Sequence, residues 1–179
     1  PTARIGIGIL LVAAAGLTGC GTTSTPRMTF DEVRTSVMIE DRDGSPVSWD
    51  GLIERLDESD VIVLGELHDD HVAHLVQRAV VQDVGDRRPG TVLAMEMLER
   101  DEQPLVDDYR EGLISPETFT RLTFSGSWAG EGSWDDWYLP IIDSAHDRDM
   151  MVVAANAPRR YVTLARTDGF ERLDGLPED

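Results

Sequence analysis

Apolar positions along the chain follow two rhythms. Three short runs are nearly continuous: Val61-Ile-Val-Leu64, Thr91-Val-Leu-Ala-Met95 and Met150-Met-Val-Val-Ala-Ala155. Runs of this length and β-branched content predict strands buried on both faces, as in a parallel sheet. Between the first two, the spacing becomes helical. Val72, Leu75, Val76, Ala79 and Val80 form one stripe and predict a helix from Asp69 to about Val84. Ser48 caps a shorter predicted helix through about Glu58, with Leu52, Ile53 and Leu56 on one face. Val37 to Glu40, followed by Asp43-Gly44, reads as a short strand and turn.

From Asp101 the pattern breaks into short helices. One runs from Gln103 to Glu111 and stops at Gly112; a second opens on Ser115-Pro116. A third runs from Ser133 to about His146, and Pro140 should kink or split it. Together they predict a small helical subdomain, about 101–148, inserted after the second strand. Strand, helix, strand, helices, strand is the rhythm of an α/β fold, a parallel sheet flanked by helices. The domain is assigned to 37–179. Three strands make a thin sheet and the chain ends just after another helix-like segment, so a further C-terminal part is expected beyond Asp179.

The first twenty residues read as an address. Arg4 precedes thirteen apolar or small residues, Ile5 to Leu17. That is too short for a bilayer span of ~20 residues and fits the apolar region of a secretory signal over 1–19. Leu17-Thr-Gly-Cys20 resembles a bacterial lipobox, which implies cleavage before Cys20 and lipid attachment to its sulfur. The alternative is an ordinary signal peptide that happens to contain a cysteine. Residues 20–36 then carry the lipidated cysteine and a tether. The expected location is the bacterial cell envelope, lipid-anchored to the membrane, and the outer membrane if the cell has one.

Composition narrows the classes. The chain has 179 residues, 16 basic and 34 acidic, a formal net charge of −18 and a pI near 4.4. Every basic residue is Arg. Such acidity repels a polyphosphate backbone and argues against nucleic-acid binding. With 41% hydrophobic and 28% charged residues the composition is that of a globular domain. Cys20 is the one cysteine, which excludes an intrachain disulfide.

Polar residues gather where each predicted strand ends. The first run enters Gly65-Glu66-Leu67-His68, the second Glu96-Met-Leu-Glu99-Arg100, and the third Asn156-Ala-Pro-Arg159-Arg160. In an open parallel sheet these ends share one edge, where ligands bind. Glu66 and His68 suit proton chemistry or an anion contact; the plain alternative is a helix cap and a solvated histidine. Glu96, after an apolar strand, needs a partner, and Arg100 or Arg159 would serve as well as a ligand. Arg159-Arg160 could hold a carboxylate or a propionate, or balance surface charge. His68, His71 and His74 share one helical arc, but the spacing is not that of a zinc-binding HExxH pair, and three surface histidines are the default. His146, between Asp143 and Asp147, is expected to be solvated. Trp128, Trp134, Trp137 and Tyr138 either pack the helical subdomain or wall a flat ligand, and packing is the safer reading for the tryptophans.

Gly65-Glu-Leu-His-Asp-Asp70, Ala94 to Pro104, Trp134-Asp-Asp-Trp-Tyr-Leu-Pro140 and Val153 to Arg160 fall in the order and spacing that resembles the ChaN-like haem-binding lipoproteins of the Tiki superfamily. The resemblance implies an α/β core with a small helical domain, and a surface lipoprotein that binds haem for iron uptake, with subunits pairing around the ligand. It implies tyrosine ligation of haem iron, for which Tyr138 is the first candidate among Tyr109, Tyr138 and Tyr161. Candidate haem-site residues are Glu66, His68, Glu96, Tyr138, Asn156 and Arg159, with the propionates near Arg159. A haem-binding role is the leading expectation. The alternative is a hydrolase, as in distant relatives with a Gly-Glu-x-His motif, in which Glu66 is the general base and His68 and Glu96 position it.

Overall fold

The computed structural model describes residues 27–176 apart from 124 and 129; the expected signal segment, Cys20 and the start of the expected tether lie outside the described residues. A short helix α1 (Val33–Ser36) leads into a small antiparallel ribbon of β1 (Ile39–Glu40) and β2 (Pro46–Val47). Ser48 caps α2 (Trp49–Asp57) by accepting from the Gly51 amide at 3.1 Å. Asp70 caps α3 (His71–Arg87) through bonds from the Val72 and Ala73 amides. These caps satisfy first-turn N–H groups that have no partner inside the helix.

The strands β3 (Val92–Glu99) and β4 (Met151–Asn156) pair in parallel, with Leu93 opposite Val152 and Met95 opposite Ala154. The crossover between them holds α4 (Gln103–Arg110), α5 (Pro116–Leu122), a π turn (Trp134–Tyr138) and α6 (Leu139–His146). Pro140 sits in the first turn of α6, where its missing N–H costs nothing, so the predicted long helix is split as its proline required. After β4 comes α7 (Arg159–Asp168), which buries no residue. The result is a mixed α/β fold.

One expectation fails. Val61–Leu64 is not a strand of the parallel sheet: Val61 makes an isolated bridge and the rest has no ladder. Ile62 and Leu64 pack inward while Val61 and Val63 are 50% and 67% exposed, an extended segment with one covered side. Nor are β3 and β4 buried on both faces. Met95, Met97, Val152 and Ala154 are buried, whereas Val92 and Met151 on the opposite face are about half exposed. Apolar runs alone do not separate a strand covered on two faces from one covered on a single face.

The core has two parts, and α3 serves both. Leu75, Val76, Ala79, Val80 and Val84 pack with Val33, Ile39, Trp49 and Ile53. Val81 joins the second part, in which Phe119, Trp134, Tyr138 and Ile142 meet the inner face of β3 and β4. At the free edge of β4, Gln103 stands in for a strand: its amide donates to the Val152 carbonyl at 3.0 Å and accepts from the Ala154 amide at 2.8 Å. Among the described residues no helix is long and apolar enough to cross a membrane.

Candidate functional site

Between the 59–66 segment and β3 lies a cavity of about 750 Å3. Its walls are mostly apolar, from Val80 and Val84 of α3, Leu93 and Met95 of β3, and Ile141 of α6. Its polar groups collect toward the carboxyl end of β3, where Glu66, His68, Gln77, Glu96 and Tyr138 line it; Arg88 lies toward the other end, beside Ser59 and Thr91.

Glu66 is the hub. Its side chain is 6% exposed. Oε1 accepts from His68 Nδ1 at 2.6 Å and from the Tyr138 hydroxyl at 2.8 Å, and Oε2 accepts from Gln77 Nε2 at 2.8 Å. Burial pushes the Glu66 carboxyl up, but the bonds from His68, Gln77 and Tyr138 and the neighbouring His74 outweigh it and hold the group below its ordinary value. Glu66 is therefore a carboxylate whose lone pairs are already engaged. Its effect falls on His68, whose Nδ1 it occupies and whose side chain is 48% exposed. Nε2 makes no hydrogen bond among the described residues, an arrangement like the carboxylate–imidazole pairs that present a histidine to a metal or a proton. Trp128 meets the His68 ring edge-on at 5.3 Å.

Tyr138 is wholly buried. Burial first, then the bond to Glu66, pushes its phenol well above the ordinary value. It stays protonated and acts as a donor to Glu66, a poor state for a metal-binding phenolate. Tyr109 is likewise engaged, with Asp143 at 2.7 Å.

Of the residues expected at the site, Glu66, His68, Glu96 and Tyr138 meet at the cavity, and Asn156 and Arg159 do not line it. Asn156 pairs in register with Glu99 and its side chain caps the Ala157 amide. The Arg159 amide donates to Glu99 Oε2 at 2.6 Å, and its exposed guanidinium lies 3.5 Å from Oε1 of the same carboxylate. Glu99, not Glu96, thus takes the arginine. The three clustered histidines diverge. His71 Nε2 reaches the Met28 carbonyl, His74 is 1% exposed, and only His68 is an exposed side chain. Among the described residues no group of three His, Cys, Asp or Glu is placed to hold a metal. His146 is not solvated either: its Nε2 is buried beside Tyr109, and burial lowers its ordinary value.

A family model described as haem-binding uptake, Tiki superfamily, ChaN, matches residues 52–179. The chain belongs to this family. No curated protein and no solved structure gives a significant match. Haem is the ligand of the ChaN family, and the cavity residues fit it. Apolar walls suit the porphyrin faces, the His68 imidazole lines one end, and at the other lies Arg88, whose Nη1 donates to the Asp57 and Ser59 carbonyls. In this ChaN-family chain the residues that sequence reasoning missed are Gln77 and Arg88, and His74, expected at the surface, is buried beside Gln77. His74 and Gln77 lie one turn apart on α3, a spacing that is visible only once the helix is known to face Glu66.

Proposed function

We propose that this chain binds one haem in the cavity, where His68 would hold the iron and Arg88 would offer positive charge to the ligand's carboxylates, and that it serves haem uptake while anchored through Cys20 to the bacterial cell envelope. The observation that carries the reading is the His68–Glu66 pair at the mouth of an apolar cavity. When bound, haem supplies the iron that His68 would ligate. Glu66 fixes the imidazole ring and its tautomer, Tyr138 and Gln77 fix Glu66, and the apolar walls keep water from the buried side. The half-exposed side of His68 leaves room for a second copy, which supports pairing of chains around the ligand.

Adding hemin to the full chain should give a saturable Soret shift at one equivalent, and His68→Ala should change the band and weaken binding by ~10–100-fold. A hemin spectrum unchanged by the protein would refute haem binding. In cells, Cys20→Ala should release the protein from the membrane fraction; retention would refute the anchor.

A hydrolase is the second reading, favoured by one observation. A carboxylate-oriented imidazole with an open Nε2 is a general base for water. The roles expected from sequence are then exchanged: His68 takes the proton, and the enclosed Glu66 orients it. Turnover of an ester or amide panel that is lost in His68→Ala would support it.

A further inference from the structure

The 61–67 segment turns an apolar side to solvent that the haem site does not use. Val61, Val63 and Leu67 are spaced by even numbers along extended backbone and share its outer side, while Ile62 and Leu64 pack inward. Their exposure rises along the chain, from 50% and 67% to 71%. The two ends of α3 fix where this stripe lies. Arg88, the C-cap of α3, donates from Nη1 to the Ser59 carbonyl at 2.6 Å. At the other end the Leu67–Asp70 turn, closed by the Asp70 amide on the Leu67 carbonyl at 2.9 Å, leads into the first turn of α3. The stripe therefore runs from the last turn of α3 to the first, and its most exposed residue stands where α3 begins. The start of the described chain docks at that same end. The Met28 carbonyl accepts from Nε2 of His71, the first residue of α3, at 2.9 Å, the Arg27 guanidinium lies over Trp137, and Met28 and Phe30 pack against the core.

We propose that the Val63–Leu67 corner is a lipid-contacting surface, which makes the end of the molecule that carries His68 its membrane-proximal end. The proposal rests on the lipid anchor at Cys20 and not on the haem reading. Eight Cα steps separate Cys20 from Met28, and at ~3.5 Å each they reach at most about 28 Å, whatever path they take. The sixteen steps of α3 from His71 to Arg87 cover about 24 Å at ~1.5 Å each. With the Arg87 end on the membrane, Met28 would stand about that far above it, and nearly the whole reach would be needed to bridge the gap. With the Leu67 end down, the reach is ample. Exposure selects the same end, since Leu67 is the most exposed large aliphatic side chain among the described residues. A net charge of −18 gives the chain no attraction to anionic lipid, so the anchor and the apolar contact must hold it there. A haem dissolved in the lipid interface then meets the His68 end of the cavity first.

The test uses the full chain, acylated at Cys20 and added to phosphatidylcholine vesicles without haem. A thiol is introduced by Leu67→Cys or, at the exposed far end of α3, by Arg87→Cys. Acylation removes the Cys20 thiol, so each variant carries one dye. Energy transfer to a headgroup acceptor should place residue 67 ~10–20 Å nearer the lipid than residue 87. An environment-sensitive dye should shift to the blue on adding vesicles when it sits at 67 and not when it sits at 87. Equal distances, a reversed order, or no blue shift at 67 overturns the proposal. So does a dye at 67 that is already blue-shifted in the soluble Cys20→Ala chain, which would mean that a second copy or another part of the protein covers the stripe. Recovery of the unaltered chain in the aqueous phase refutes the anchor, and the lipid contact falls with it. Membrane-bound protein with the wrong order of distances refutes the contact and leaves the anchor standing.

Discussion

Tyr138→Phe isolates one bond of the Glu66 hub. The substitution removes a single oxygen from a side chain with no exposed surface and leaves its ring against Trp134 and His74. Packing is preserved, so the change reports the hydroxyl donated to Glu66 at 2.8 Å. A hydrogen bond to a charged acceptor contributes about 1.5–3 kcal/mol. Glu66 keeps His68 and Gln77, so it is not left unpaired, and the lower part of that range, about 1.5–2 kcal/mol, is expected at pH 7. The sign with pH follows from the carboxyl. Its folded-state value is depressed, so its stabilisation is complete above the ordinary value of 4.5 and is lost as pH falls through the folded value. In Tyr138→Phe the carboxyl gives up one donor and moves back toward that ordinary value, so the acid loss begins at the same pH but is smaller and is complete at a higher pH. Urea unfolding followed by tryptophan fluorescence, from pH 7 down the acid limb, measures both effects. The difference between the two proteins should shrink where Glu66 is protonated, and a double-mutant cycle with Glu66→Gln should show coupling. A difference constant with pH, or strict additivity with Glu66→Gln, would mean that Tyr138 acts by packing and would refute the hub.

Two further outcomes test the scaffold. Gly85→Ala places a methyl 2.7 Å from Met150 Sδ and 2.8 Å from Arg148 Cδ at the packed back of α3; overpacking should cost about 1–3 kcal/mol and lower the thermal midpoint, and an unchanged midpoint would contradict the contact. Gln103→Ala strips the stand-in strand from β4 and leaves the Val152 carbonyl and Ala154 amide without their partner, so the urea midpoint should fall by an amount worth about 1–3 kcal/mol, whereas a midpoint equal to that of the unaltered chain would show that water replaces the amide.

Local rules carried much of this fold into the sequence. Ser48 and Ser115 are read as caps or helix starts because a short side-chain oxygen satisfies first-turn amides wherever the helix lies, and each accepts such a bond in the structure, whereas the helix expected from Asp69 is capped by Asp70. Pro140 breaks its helix for an equally local reason. The Gly-Glu-x-His signature likewise pointed to Glu66 and His68, which bond to each other and line the cavity in the structure. What the residues could not announce is which apolar runs find a neighbour. Val61–Leu64 and Met150–Ala155 look alike as sequence, yet only the second forms a ladder with β3, because strand pairing is decided by what stands across the sheet.

The same division holds at the site. Sequence by itself determined the residue types, the helix that carries His74 and Gln77, and the family. Tertiary structure decided the roles. It closed Tyr138 and Gln77 over Glu66, sent Arg159 to Glu99 and brought Arg88 to the cavity. It also made His74 an interior residue rather than a surface one. The physical reason is that capping and helix period act over three or four residues, whereas burial and charge partnership depend on which distant segments fold against each other. Glu66 and Tyr138 lie 72 residues apart in the chain and share one hydrogen bond.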